Sequence, residues 1–303
     1  MRQSKRFSIV IALAPWRSAE ILPFINKQDY PKKNFEIIIE KGLNVPNNRE
    51  NGAKRAKGEI IVFLDDDAII EKDYLKKIDY FFKENPEIDI LGGPQLTPKS
   101  DGIFARANGY VLASIFASVG ARKRYKKAKF TLNANSDHIT GANLICRNKV
   151  LKSVKFDPEV YPADDLNFVE EARKKGFKVA YSPDIFIYHR RRADLKGLVK
   201  QVFDYARERP KKNFFTNIVC KPLITVPSLF FMYNSVIAFL FLLNGLFILP
   251  FFLYIVLNLL FSFYEVIRNR DFFALFILPF LFLTVHIAYG FGFIIGLIDK
   301  IFK

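Results

Sequence analysis

Glu59-Ile60-Ile61-Val62-Phe63-Leu64-Asp65-Asp66-Asp67 is a short apolar run that ends in three consecutive carboxylates. Five apolar residues without polar alternation make a strand buried on both faces. Runs of the same kind recur at Phe7–Leu13, Phe35–Ile39 and Ile88–Leu91. Between them lie stretches of helical character: Ser18–Lys27, Asn48–Lys57 (stopped by Gly58) and Glu71–Glu84. The order β-α-β-α-β-α-β predicts an α/β, Rossmann-like domain whose mostly parallel sheet is covered on both faces. Such sheets bind ligands beyond the carboxyl ends of their strands, where the aspartates stand. The basic N-terminus and Phe7–Leu13 superficially imitate a signal peptide. The apolar run is short, however, and fits the α/β pattern downstream of it, so it is read as the first strand.

The rest of the 303-residue chain differs in kind. From Pro222 to Tyr264 no position is charged, and 17 of the 33 phenylalanines fall in residues 222–303. Lys and Arg total 46 against 30 Asp and Glu, and nearly all of that excess sits in the first 221 residues. This predicts a basic α/β domain at 1–210 and a membrane domain at 211–303. The charge-free run is about twice as long as one helix needs to cross a ~30 Å hydrocarbon core. With Asn244-Gly245 as a turn, spans are predicted near 224–243, 246–264 and 272–298. Arg268 and Arg270, with Lys211, Lys212 and Lys221, place the front domain on the cytoplasmic side of a plasma membrane. Lys300 and Lys303, at the far end, disagree mildly with that placement. Cys146 and Cys220 offer no disulfide framework or metal-ligand spacing.

On a strand, Asp65 and Asp67 point to one side and Asp66 to the other. Two convergent carboxylates repel unless a cation lies between them, and a hard divalent ion shared with phosphates suits that role. The triplet could equally cap a following helix. Neither a phosphate-binding P-loop nor a dinucleotide fingerprint is present. Downstream, a helix from Ala163 opens with Asp164 and Asp165 and stops at Gly176; a helix N-terminus favours ionised carboxylates, whether for catalysis or for capping alone.

Several stretches, in order, resemble the family-2 glycosyltransferases, inverting enzymes of GT-A fold. They are Ser8-Ile9-Val10-Ile11, Gln28-Asp29-Tyr30-Pro31, Asn51–Glu59 with Phe63–Asp67, Thr140-Gly141-Ala142-Asn143, Ala163-Asp164-Asp165-Leu166, Gly176–Val179 with His189, and Gln201–Arg207. The resemblance implies that Asp65, Asp67 and His189 hold Mg²⁺ or Mn²⁺. It implies that Pro15, Arg17, Glu40, Arg49, Asp65 and Asp66 face the nucleotide-sugar donor. Gly141, Ala142, Asn143, Asp164, Gln201 and Arg207 would face the acceptor, and Asp165 would be the general base. Pro15-Trp16-Arg17, Glu40-Lys41-Gly42 and Arg49-Glu50 depart from the family pattern, all where the nucleotide would be read.

A transferase domain fixed to a bilayer suggests a lipid-linked acceptor, a polyprenyl phosphate or a glycan built on one. Processive synthases resembling this family carry Gln-x-x-Arg-Trp after the base, whereas Trp16 is this chain's one tryptophan. One sugar per encounter is therefore expected. Six basic residues within Arg122–Lys129 read as a membrane contact or a solvated loop. Leu195, Leu198, Val199, Val202, Phe203 and Ala206 form the apolar stripe of an interfacial helix at about 192–209, or of one packed on the sheet. A catalytically inactive membrane scaffold is the alternative reading. A nucleic-acid binder would leave the carboxylates without a role and is not expected.

Overall fold

The computed structural model describes residues 5–211 and 222–302. Lys212, Cys220, Lys221 and Lys303 lie outside the described residues. The chain forms two compact units, Met1–Pro98 with Gly120–Arg190, and Lys99–Val119 with Arg191–Lys303.

In the first unit the chain runs through β1 (Phe7–Leu13), α1 (Leu22–Asn26), β2 (Phe35–Lys41), α2 (Val45–Arg55), β3 (Ile60–Asp65), β4 (Ala68–Ile69), α3 (Tyr74–Glu84), β5 (Ile90–Gly92) and β6 (Gln95–Leu96). The second unit then contributes α4 (Ile103–Ala113) and α5 (Ile115–Ser118). The first resumes with β7 (Asn143–Arg147), α6 (Asn148–Leu151), α7 (Asp164–Lys174), β8 (Val179–Tyr181) and β9 (Ile187–His189).

The main sheet has the order β2-β1-β3-β7-β5-β8. β1 pairs in parallel with β2 and β3, as the sequence pattern predicts. The sheet is mostly parallel, as predicted, with one reversed strand: β7 runs antiparallel between β3 and β5, while β5 and β8 pair in parallel. A second sheet, β4-β9-β6, goes beyond the sequence reading; its strands are two or three residues long, too short to leave a periodic signal. Apolar side chains fill both faces of the main sheet. Ile9, Ile11, Val62 and Leu64 lie on one face with α1 and α3, and Val10, Ile61 and Phe63 lie on the other with α7. This explains the unalternating strands.

Local chemistry sets the helix limits. Pro23 fits only the first turn, so α1 starts at Leu22 rather than Ser18. Asn44 caps α2 by accepting from the Asn47 N–H, with Pro46 in its first turn, which begins the helix three residues ahead of Asn48. Gly176, at φ +85°, follows α7 as the sequence predicts.

The second unit continues with α8 (Leu195–Glu208), α9 (Val226–Leu243), α10 (Leu249–Asn269) and α11 (Leu278–Ile301). Three helical stretches are long and apolar enough to cross a membrane: Pro222–Leu243, Gly245–Asn269 and Leu278–Ile301. The amphipathic helix expected near 192–209 is present as α8, with Leu195 of its stripe exposed. Leu198 and Val202 are buried in one cluster with Ala107 and Val111 of α4 and with Leu278, Leu281, Phe282 and Val285 of α11. Two polar pairs link the apolar helices: Asn258 donates to the Pro279 carbonyl, and Tyr254 Oη lies 2.9 Å from His286 Nδ1.

The basic stretch Arg122–Lys129 is partly turned inward. Arg124 is buried and donates to the Ser136 carbonyl, Lys123 Nζ lies 3.1 Å from His138 Nε2, and Lys127 Nζ sits 4.2 Å from the Phe186 ring centroid. Fewer of its charges are thus available to a membrane than the sequence suggests.

Candidate active site

β3 ends at Asp65, so strand alternation stops there and Asp66 and Asp67 enter a turn. Arg17, in the turn after β1, reaches both: its Nε is 2.7 Å from Asp66 Oδ2 and its Nη2 is 2.8 Å from Asp67 Oδ2. Antiparallel pairing of Ala68 with His189 carries the histidine to the same place. There His189 Nε2 lies 3.2 Å from both Asp65 Oδ2 and Asp67 Oδ1. The three residues assigned to the metal by resemblance therefore meet at one point, although they are more than a third of the chain apart in sequence.

Arg49 joins this cluster to the second acidic pair. From the buried side of α2 it donates to Asp65 Oδ1 at 3.0 Å and to Asp164 Oδ2 at 2.5 Å. Gly141 makes room for it, since a Cβ there would stand 2.7–2.8 Å from the guanidinium atoms. The Gly141 N–H donates to Asp165 Oδ2 at 2.8 Å, and the Leu166 N–H donates to Asp165 Oδ1 at 2.7 Å. Two backbone donors, one from Gly141 and one in the first turn of α7, thus hold Asp165 oriented.

The carboxylates are tuned apart. Burial pushes the Asp65 carboxyl up, but His189 and Arg49 outweigh it and hold the group well below the usual carboxylate range. Asp66 is pushed up to about 6, first by burial and then by Asp67 and Asp65, against the pull of Arg17. Burial likewise raises Asp164, reinforced by Asp165 and opposed by Arg49. Arg49 loses by burial and gains more from Asp164, Asp65 and Asp165, which keeps it charged.

The remaining candidates divide. Asn143 is fully buried; its amide donates to the Ile185 carbonyl at 2.7 Å and accepts from Tyr74 Oη at 2.6 Å, so it fixes the start of β7. Ala142 is buried, and its N–H donates to Thr140 Oγ1. Pro15 is exposed in the turn after β1, and Glu40 is ion-paired to Arg55. Gln201 and Arg207 belong to the second unit, where Arg207 pairs with Asp299 at 2.6 Å. Sequence reasoning misses Asn48, whose amide donates to the Leu13 and Gly42 carbonyls and ties the loops after β1 and β2 together. It also misses Arg49 as the link between the acidic pairs. Nothing short of the tertiary structure signals either role.

A cation would suit this arrangement. Asp67 Oδ1 is buried with no hydrogen-bond partner, beside an imidazole nitrogen and a second carboxylate oxygen. The donor set, two hard oxygens and one nitrogen, fits Mg²⁺ or Mn²⁺. Among the described residues no group of three His, Cys, Asp or Glu is already spread at metal-holding distances, and Arg17 and Arg49 balance the charge instead.

The profile of glycosyltransferase-like family 2 matches residues 9–204, across strands β1 to β9 and most of α8. The chain belongs to this family. It is a glycosyltransferase, and its α/β unit has the GT-A fold. A dolichyl N-acetyl-alpha-D-glucosaminyl phosphate 3-beta-D-2,3-diacetamido-2,3-dideoxy-beta-D-glucuronosyltransferase of Methanococcus voltae is 27% identical over 308 residues, covering 89% of this chain and 90% of that protein. A poly(ribitol-phosphate) beta-glucosyltransferase of Bacillus spizizenii is 29% identical over 163 residues, which are 52% of this chain but 24% of that protein. Among solved structures, a mannosyltransferase of Pyrobaculum calidifontis, in complex with GDP-mannose and Mn²⁺, covers 97% of this chain and 86% of its own. Its TM-score is 0.52 at 14% identity, a likeness that speaks to fold alone.

Proposed function

We propose that this glycosyltransferase moves one sugar, with inversion, from a nucleoside-diphosphate sugar to a lipid-linked acceptor at the cytoplasmic face of a plasma membrane. The observation that carries the reading is the meeting of Asp65, Asp67 and His189 beside the Arg49–Asp164 pair and the oriented Asp165. Three long apolar helices and the dolichyl-linked substrate named for the Methanococcus relative support the lipid acceptor.

In this reading Asp65, Asp67 and His189 would hold a divalent ion, whose chemistry would be to offset charge on the departing diphosphate. Arg17, paired here with Asp66 and Asp67, is freed to face the donor phosphates. Asp165 accepts the proton of the acceptor hydroxyl as it attacks the anomeric carbon. Arg49 balances Asp164, so that no unpaired carboxylate stands beside Asp165. Pro15, Glu40 and Asn48 shape the edge where the base and ribose are read.

The test is nucleoside-diphosphate binding by the full chain in detergent, measured by calorimetry with a UDP and GDP panel. Wild type should bind one of them with Mn²⁺ and lose it in chelator, and Asp67→Asn should not regain it. Equal binding in chelator would contradict the metal assignment.

A further inference from the structure

The three apolar helices have unequal surroundings. In the most apolar part of each, 6% of residues are buried in Pro222–Leu243, 11% in Gly245–Asn269 and 50% in Leu278–Ile301. What covers α11 is largely not apolar helix. α8 lies against it, advancing in the same direction: a Cβ on Gly292 would stand 2.5 Å from the Phe203 carbonyl oxygen, and one on Gly296 would collide with that of Arg207. α8 carries Lys196, Lys200 and Arg207, with Arg209 just beyond it. On the way to its first residue, α11 is held by α4: Asp271 Oδ2 accepts from Arg106 Nε at 2.8 Å and from Tyr110 Oη at 3.0 Å. At its last turn Asp299 Oδ2 is 2.6 Å from Arg207 Nε and 3.4 Å from Lys211 Nζ.

Chain connectivity then fixes the sides. α4 belongs to Lys99–Val119, an excursion that leaves the α/β unit and returns to it. Two crossings of a ~30 Å core would need about 20 helical residues each, so α4 and Asp271 stay on the α/β side. α8 leaves the α/β unit after Arg190, and each Lys or Arg at mid-bilayer would cost about 3 kcal/mol. It therefore does not span, and Asp299 stays on that side too. A helix whose two ends lie on one side has not crossed.

We propose that α11 lies in the membrane interface, clamped by α4 and α8, and that the chain crosses twice, through an α9–α10 hairpin. The proposal rests on the membrane reading above. Both arms of the hairpin meet α11: a Cβ on Gly290 would collide with the Pro227 carbonyl oxygen, Val266 of α10 is buried in the α11 cluster, and Asn258 and Tyr254 reach the Pro279 carbonyl and His286. The turn between the arms, around Leu242 and Leu246, is exposed. Two crossings also place Lys300, with Arg268 and Arg270, on the same side of the membrane as the α/β unit, in keeping with the positive-inside pattern.

The test uses the full chain with a short epitope at each end, in sealed vesicles of both orientations. Asn244→Cys is probed with an impermeant maleimide, with the unsubstituted chain as blank. Protease should remove both epitopes from the same side, with the introduced thiol labelled from the other. Removal of the C-terminal epitope from the side that labels this thiol would show that α11 crosses and would overturn the proposal. Labelling of the thiol from the epitopes' side, with release by alkaline carbonate, would instead refute the membrane reading on which it rests.

Discussion

Glycine does different work in the two compact units, and the contrast shows what each is built to do. In the α/β unit, Gly141 yields the space of one side chain to the Arg49 guanidinium, so that a cation can sit buried between Asp65 and Asp164. In the apolar unit, Gly290, Gly292 and Gly296 yield the same space to backbone carbonyls, so that whole helices can approach. The first unit uses its close contacts for charge, the second for packing. A substitution in the first should therefore impair chemistry and charge balance, and one in the second should loosen an assembly that still binds donor.

The largest effect should come where the charge is most concentrated. Asp65→Asn is expected to lower sugar transfer about a thousandfold, because it would weaken the proposed cation site for the leaving-group charge. Steady-state transfer with saturating metal checks it; activity within about tenfold of wild type would erase the distinction between the units. Next is Arg49→Met, which leaves Asp164 buried and unpaired. Breaking such a pair costs about 3–5 kcal/mol, or roughly 10 °C in melting temperature. Pairing it with Asp164→Asn should restore part of the loss, as a thermal-shift series would show.

In the other unit, Gly296→Leu should cost about 1–3 kcal/mol through overpacking against α8. It should lower the melting temperature in detergent while leaving donor affinity nearly unchanged. A matching loss of donor affinity would mean the units are not separable in this way.

The smallest effect concerns His138, outside the acidic cluster, whose imidazole is pushed down to about 4 by burial and by neighbouring Lys123. Its folded value lies below the unfolded one, so the unfolded chain binds more protons between the two. Stability should fall as pH drops from about 6.5 to about 4, and His138→Gln should flatten that slope in pH-dependent thermal melts.

The same contrast governs how much can be read from sequence. Ile60–Leu64 followed by Asp65, and the charge-free run from Pro222, are local patterns, and both lead to the structure's main features. The Ala163 helix with its acidic first turn is equally legible. What escapes depends on contacts between distant residues. The antiparallel β7 and the short β4-β9-β6 sheet have no periodic signature. Family resemblance suggests a metal role for His189, but only the pairing of Ala68 with His189 explains how it arrives. The stripe on α8 is recognisably amphipathic, but nothing in its spacing names α11 as the surface it covers. Asn143 stands in a motif that points to a sugar contact, whereas the structure commits its amide to Ile185 and Tyr74.

The most direct measurement is transfer from a panel of radiolabelled nucleotide sugars into native lipid extract. It compares the wild-type chain with Asp165→Asn, each with Mn²⁺ and with chelator. Label is expected in the lipid phase, dependent on metal and lost with Asp165→Asn while Mn²⁺-dependent donor binding persists. Label that enters lipid equally well with Asp165→Asn, or only a water-soluble product, would contradict it.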